Sequence, residues 1–305
     1  MADLLVTGTV ALDDVRTPFG QVTDALGGSA TFFSYAASFF TSVKLAAVIG
    51  PDFPKEHLDL LAARGVDLAG VQVTDGATFR WKGEYGYDLN EAKTLDTRLG
   101  VLADFKPDLP RHFRSCPYVF LANLDPVIQL DVLRSMERPR LVALDTMNFW
   151  IKGMPSELRT VLGEVDALLV NDTEARMLAG EPSLVKAARK ILGWGPRVVV
   201  VKRGEYGALM VTPERFFFVP AYPLESPFDP TGAGDTFAGG FMGVLAGEES
   251  ADEGALRRAI VYGSVISSFT VEDFSLNRLK RLTRDDIEAR YRSFREMMQV
   301  DLRGA

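Results

Sequence analysis

Six short apolar runs set the tightest limit on how this chain folds: LLVTG, KLAAVIG, YVFLAN, RLVALDT, ALLVND and RVVVVKRG. A strand with one wet face alternates polar and apolar residues. These do not, so both of their faces must be covered, as in a parallel sheet. Longer stretches with helical spacing lie between them, among them Phe53 to Arg64 with Leu58, Leu61 and Ala62 on one side. Strand-helix alternation of this kind predicts an α/β fold with a doubly wound, mostly parallel sheet and helices on both faces. Ligands of such sheets sit beyond the carboxyl ends of the strands. Gly8, Gly50, Asn123, Asp145 and Asn171 fall there.

One region breaks the alternation. From Thr78 to about Val101, aromatic and polar residues alternate, with turn signals at Lys82-Gly83 and Asn90. That pattern predicts antiparallel hairpins. The irregular piece Asp13 to Ala25, with Pro18-Phe19-Gly20, is a candidate to pair with it. Together they would form a small β-sheet lid over the carboxyl edge. The expectation is a single domain, 1–305, with lid segments at approximately 13–26 and 75–102; plain surface hairpins are the alternative.

Composition removes several functions. Lys plus Arg number 34 against 41 Asp plus Glu, a net charge of −7, which argues against nucleic-acid binding. Cys116 stands alone, and His57 and His112 are the two histidines, so a disulfide, an ordinary zinc set and a Ser-His-Asp site are all disfavoured. The N-terminus has no basic leader, and SATFFSYAASFF is too short and too broken by Ser, Thr and Tyr to span a bilayer. The expectation is a cytoplasmic enzyme with no membrane contact.

The strongest chemical signal is DPTGAGDTFAGGF, Asp229 to Phe241. Gly232, Ala233 and Gly234 precede a helical segment running through about Leu245. Small residues at a helix start leave backbone N–H groups uncovered at its positive end, an anion site. Asp235 in that first turn would repel a bound phosphate unless it takes a proton from an attacking hydroxyl, which makes it a candidate general base for phosphoryl transfer. A helix cap is the competing reading. The string lacks the Lys-Ser/Thr of a Walker A loop, and Phe237 stands where a dinucleotide fingerprint needs its third glycine.

This string resembles the C-terminal signature of the ribokinase-like (PfkB) carbohydrate and nucleoside kinases. Other pieces follow in that family's order: GTVALD, Gly27-Gly28, VIGPDF, ARGVDLAGV, NDTE and KRGEYGA, from Leu4 to about Phe274. The resemblance implies a ribokinase-like fold and ATP-dependent phosphorylation of a hydroxymethyl group. It implies that Asp13, Gly27 and Gly28 hold the acceptor. Asn171, Lys202, Gly204, Gly207 and Thr231 would serve ATP, and Glu174 the Mg²⁺ through water. Asn171 and Glu174 also fit a capping box, and both uses are compatible. Tyr262 lies where the family's adenine pocket falls, with a core tyrosine as the equal alternative. Asn123 is a further candidate on the acceptor side. A monovalent cation is compatible with this family, and the lid is a candidate homodimer face.

The departures bear on the acceptor. Phe32 stands where the family often has Asn, so a polar contact is lost and an aromatic face gained. DTMNFW matches the family's D-x-N-x-R only loosely, with Asn148 displaced and no Arg, and Lys202 stands where many members have Thr. Phe32 and the aromatic lid favour a nucleoside such as adenosine over a bare sugar. Phe79, Trp81, Tyr85, Phe149 and Trp150 read individually as packing before base stacking. A catalytically silent nucleotide or sugar sensor on the same fold is the alternative function, and a dinucleotide oxidoreductase a third.

Overall fold

The computed structural model describes residues 2–299. Its strands, in chain order, are β1 (Leu4–Thr7), β2 (Ala11–Thr17), β3 (Gly20–Gly27), β4 (Val43–Ile49), β5 (Asp67–Val73), β6 (Arg80–Tyr85) and β7 (Ala92–Arg98). They continue with β8 (Tyr118–Leu121), β9 (Leu141–Asp145), β10 (Ala167–Asn171), β11 (Val198–Lys202), β12 (Ala208–Val211) and β13 (Phe216–Val219). Nine of them form one sheet in the order β13-β12-β11-β10-β9-β8-β1-β4-β5. Every pair is parallel except β11–β12 and β12–β13, which add an antiparallel edge. All six apolar runs are strands of this sheet, as expected.

The reason they carry no polar alternation lies in the packing. Leu4, Val6, Phe120, Val198 and Val200 enter the core on one face, and Leu5, Val119, Leu121, Val199 and Val201 the core on the other. The first face is covered by α1 (Ser29–Ala37), α2 (Lys55–Ala63), α8 (Ala233–Glu248), α9 (Glu253–Thr270) and α10 (Arg284–Met298). The second is covered by α3 (Pro126–Ser135), α4 (Asn148–Gly153), α5 (Pro155–Leu162), α6 (Asp172–Ala179) and α7 (Leu184–Leu192). The mixed-charge segment with Ile287, Tyr291, Phe294 and Met298 at helical spacing reads as a helix from about Arg284 to Val300 and is α10; Val300 lies outside the described residues. The segment ARGVDLAGV, one of the pieces matched above, supplies edge strand β5, whose residues are mostly half-exposed and so need no apolar run.

The lid is a second sheet of order β3-β2-β6-β7. Two antiparallel hairpins, β2–β3 and β6–β7, are joined by a parallel β2–β6 pair. Its two faces differ as period-2 alternation requires. Outward, Arg16 pairs with Glu84 at 3.2 Å and Lys82 with Asp14 at 3.8 Å. Inward, Asp13, Val15 and Thr17 are buried. The lid rests on the loop before α8: Phe19 meets Phe228, Phe228 meets Phe274, and the Ser275 hydroxyl donates to the Leu26 carbonyl. At its base, Asp52 of VIGPDF accepts from the Thr78 amide at 2.8 Å and its hydroxyl at 2.6 Å, while that hydroxyl accepts from the Gly50 amide. This segment therefore ties the lid's entry strand to the end of β4. Among the described residues no helix is long and apolar enough to cross a membrane.

Candidate active site

The helix start predicted at GAGD is formed as the residue types dictate. Asp229 is buried, and its Oδ1 accepts from the Thr231 amide at 2.9 Å, folding the chain into the turn. Gly232 is the N-cap of α8 at φ 75°, a left-handed conformation that disfavours side chains. Among the described residues no side chain caps the helix, and the first-turn N–H groups of Gly234 and Asp235 have no partner. Ala233 is different: its amide is turned back onto the Pro230 carbonyl at 3.1 Å and is not free for an anion.

Phe32 is not on the cleft surface. It is buried, and a Cβ on Gly232 would come within 2.3 Å of its ring, so the ring wedges the turn from beneath. Helix α1 packs along α8, and Phe32 lies on the side of α1 that this contact covers. The aromatic face inferred from sequence is thus spent on the turn.

Behind the turn lies a buried charge cluster. Lys202, at the end of β11, donates to Asp145 Oδ2 at the end of β9 across 3.0 Å, with both side chains nearly enclosed. The Lys202 ammonium also stands 3.2 Å from where a Gly234 Cβ would be. Burial raises the Asp235 carboxyl to about 7, Asp145 adds to the rise and Lys202 opposes it. Burial, with Asp145 again adding and Lys202 opposing, raises Glu174 to about 7. Burial pulls the Lys202 ammonium down, but Asp145, Glu174 and Asp235 together hold it above its ordinary value. Asn171 and Glu174 form the capping box of α6, with reciprocal bonds of 2.7 Å. Glu174 feels the charges of Asp145, Lys202 and Asp235 and so belongs to the same cluster.

On the lid side, Asp13 is buried, and its carboxylate fills the space a Gly27 side chain would occupy. Burial, with help from the Asp235, Asp229 and Asp14 charges, raises it to about 8 against a lowering bond from the Gly28 amide. From β6, Tyr85 reaches the turn: the Thr231 hydroxyl donates to its phenol oxygen at 3.4 Å. At the hairpin tip, Asn90 Oδ1 sits where a Gly204 Cβ would be, so the lid touches the turn that begins at Gly204 and ends at Gly207. From the sequence, Tyr85 was one of five aromatics read as packing before base stacking and Asn90 was a turn signal alone, because nothing local marks a strand or turn residue as crossing a cleft.

Asn123 ends beside Ser29, whose hydroxyl donates to the Asn123 carbonyl at 3.5 Å. Its side chain is committed, accepting from Trp150 Nε1 at 3.0 Å and donating to Met147 Sδ at 3.1 Å. Tyr262 is not brought to this group. Its ring stacks on Tyr291 at 4.2 Å and meets Phe40 edge-on, and its hydroxyl donates to Glu288. Phe40 lies against Gly247, near the far end of α8, so the core reading of Tyr262 is the one this packing favours. Neither histidine takes part: His112 pairs with Asp67 and His57 packs on Phe53.

Asp13 Oδ1, Asp229 Oδ2, Thr146 Oγ1 and Asn148 Oδ1 are among the buried polar atoms without a hydrogen-bond partner among the described residues; others, such as Ser34 Oγ and Gln129 Oε1, lie elsewhere. Buried polar atoms are almost always paired, and Asp13, which feels the Asp235 and Asp229 charges, is the orphan best placed to meet a ligand at the turn. Among the described residues no set of three or more His, Cys, Asp or Glu is arranged to hold a metal. That fits Mg²⁺, which keeps several waters and is carried on one or two carboxylates and the substrate's phosphates.

Comparison with known proteins decides the family. Residues 6–280 match the pfkB family carbohydrate kinase. The chain belongs to that family. A cytidine kinase from Thermococcus kodakarensis is 32% identical over 248 residues, 79% of this chain and 88% of the relative. Among solved structures, a putative ribokinase II from E. coli in complex with ATP and Mg²⁺ superposes with a TM-score of 0.78 at 19% identity, covering 96% of this chain and all of that one (100%). A Burkholderia thailandensis nucleoside kinase in complex with inosine gives 0.75 at 19% identity, covering 95% and 98%. These likenesses carry the fold. This pfkB kinase is a phosphotransferase acting on an alcohol group of a sugar or nucleoside, and neither the silent sensor nor the dinucleotide oxidoreductase is favoured.

Proposed function

We propose that the protein transfers the γ-phosphoryl group of ATP to the hydroxymethyl group of a nucleoside, with Asp235 as general base. The observation that carries this is the Asp235 carboxyl, held near neutrality by burial at the uncapped start of α8. A base works best when its pKa lies near the working pH, and an ordinary Asp does not meet that condition. The acceptor proton passes to Asp235 as the acceptor oxygen attacks phosphorus. The free amides of Gly234 and Asp235 receive the charge on the transferring group, with Lys202 behind them. Mg²⁺, held by phosphate oxygens and waters with Glu174 in the outer shell, would neutralise phosphate charge. Asp13 Oδ1, without a partner, accepts from acceptor hydroxyls when ionised. The cytidine kinase likeness supports a nucleoside over a bare sugar.

The test is ADP release from ATP and Mg²⁺ with cytidine, adenosine, inosine, ribose and fructose, comparing wild type with Asp235→Asn. Loss of a general base costs about 10²–10⁴-fold in rate. The expected result is that loss with ATP binding retained; a mutant within a few-fold of wild type sinks the assignment.

A further inference from the structure

The inner face of the lid carries one arrangement that the phosphoryl-transfer reading does not use. Asp13 on β2 stands opposite Trp81 on β6 in a parallel pair, so their side chains share a face. Next along that face of β6 comes Gly83. A Cβ on Gly83 would lie 2.0 Å from the Trp81 Cη2 and 2.3 Å from its Cζ2, so the six-membered ring lies flat on the Gly83 backbone. Indole Nε1 donates to Thr94 Oγ1 at 3.2 Å, and Thr94 is the residue opposite Gly83 on β7. One face of the ring is therefore bedded on its own sheet and its edge is pinned. Among the described residues the ring has no aromatic partner. Its other face is turned to the side on which Asp13 is buried and Tyr85 crosses to Thr231.

We propose that the exposed face of Trp81 is the surface on which the base of a nucleoside acceptor stacks. The inference rests on the proposed function, in that Asp13 holds the acceptor's sugar. Neighbouring strands are about 4.8 Å apart. A flat base attached to a sugar bound at Asp13 therefore falls over the next strand, at the position of Trp81. The Trp81 N–H is already given to Thr94, so the indole reads no base edge. Stacking is tolerant of base identity because every base has a π-face. Purine and pyrimidine nucleosides should both gain from it, and a free pentose should gain nothing. The sequence Trp-Lys-Gly provides this economically: Lys82 faces out to Asp14, and the missing side chain at Gly83 gives the ring its bed.

Calorimetric titration with cytidine, adenosine and ribose, which needs no turnover, tests the idea on wild type, Trp81→Ala, Trp81→Phe and Gly83→Ala. Removing one aromatic stacking partner is expected to weaken both nucleosides about 10- to 100-fold, with Trp81→Phe far closer to wild type. Gly83→Ala lifts the ring off the strand and should weaken nucleosides while the indole is still present. Ribose and ATP binding should be unchanged in all three variants. Equal cytidine affinity in wild type and Trp81→Ala overturns the proposal, as does a wild type that binds ribose as tightly as nucleosides or binds no nucleoside. Failure of the kinase reading shows separately, as cytidine binding without ADP release. Nucleotide binding and the circular dichroism spectrum report whether each variant is folded.

Discussion

Lys202 and Asp145 form a nearly enclosed ion pair, Nζ to Oδ2 at 3.0 Å, on strands that are not neighbours: β10 lies between β11 and β9. The pair sits behind the helix start, where both of its charges reach Asp235 and Glu174. With Asp235 and Glu174 close by, one cation faces three carboxyl groups: burial above all, with the Asp145 charge adding and Lys202 opposing, raises Asp235 and Glu174 to about 7.

Lys202→Met should therefore act on both stability and the pH profile. Breaking a buried pair by removing one partner costs about 3–5 kcal/mol. Lys202 opposes the rise of Asp235, so its loss moves that carboxyl further up and shifts the acid limb of kcat/KM to higher pH. Lys202→Arg should keep the limb near its original position. An acid limb that does not move in Lys202→Met would show that the ammonium does not control Asp235.

The same carboxyls fix how stability follows pH. Asp13 at about 8 and Asp235 and Glu174 at about 7 are all raised above their unfolded values. Groups of this kind bind more protons folded than unfolded, so their contribution is fully present below about 4 and is lost as pH rises through about 7 to 8. The ligand-free protein should thus lose thermal stability between about pH 5 and pH 8, the range over which Asp235 ionises and activity rises. Asp13→Asn should flatten that slope and raise the melting temperature at pH 8 while abolishing acceptor binding. Melting curves across this pH range decide it; a slope unchanged in Asp13→Asn would exclude Asp13 as a source.

Gly232→Ala puts a methyl group on a left-handed residue and into the Phe32 ring. Left-handed backbone costs a residue with Cβ about 1–2 kcal/mol, and overpacking adds about 1–3 kcal/mol. Chemical denaturation should report a loss in that combined range, together with a raised KM for ATP as the turn opens. Wild-type stability would mean that Phe32 moves aside freely.

Thr78→Val keeps the Thr78 amide's bond to Asp52 but removes both bonds of the hydroxyl, the one it donates to Asp52 and the one it accepts from the Gly50 amide. Leaving a buried donor or acceptor unmade costs about 1–3 kcal/mol. The lid's base loosens while the helix start is untouched, so the acceptor KM should rise and the ATP KM should stay. Equal effects on both constants would place the damage outside the lid.

What the sequence disclosed was what is encoded within a few residues. Buried strands show as unbroken apolar runs, and the turn from Asp229 to Asp235 shows because glycine, proline and a capping aspartate act locally. The lid showed because its alternation has a different period. Asp145 was visible as a polar residue ending a strand, but its partnership with Lys202 depends on the order β9-β10-β11, which no local signal carries. Phe32 was misplaced for a related reason: helix α1 is buried on every side, its Ser and Thr included, so the sequence does not tell which side meets α8. Tyr262, left open from the sequence between an adenine pocket and the core, packs on Tyr291 and Phe40.

The parallel pairing of β2 with β6 has a consequence for how the molecule assembles. The chain between those strands is not a loop; it builds β3, α1, β4, α2 and β5 before β6 begins. Closing such a long span is entropically costly unless something else draws its ends together. The main sheet does this by bringing the ends of β1 and β5 to one edge. The surface that meets the acceptor is accordingly the last part to be made. On refolding, catalytic competence should lag behind the burial of the central core.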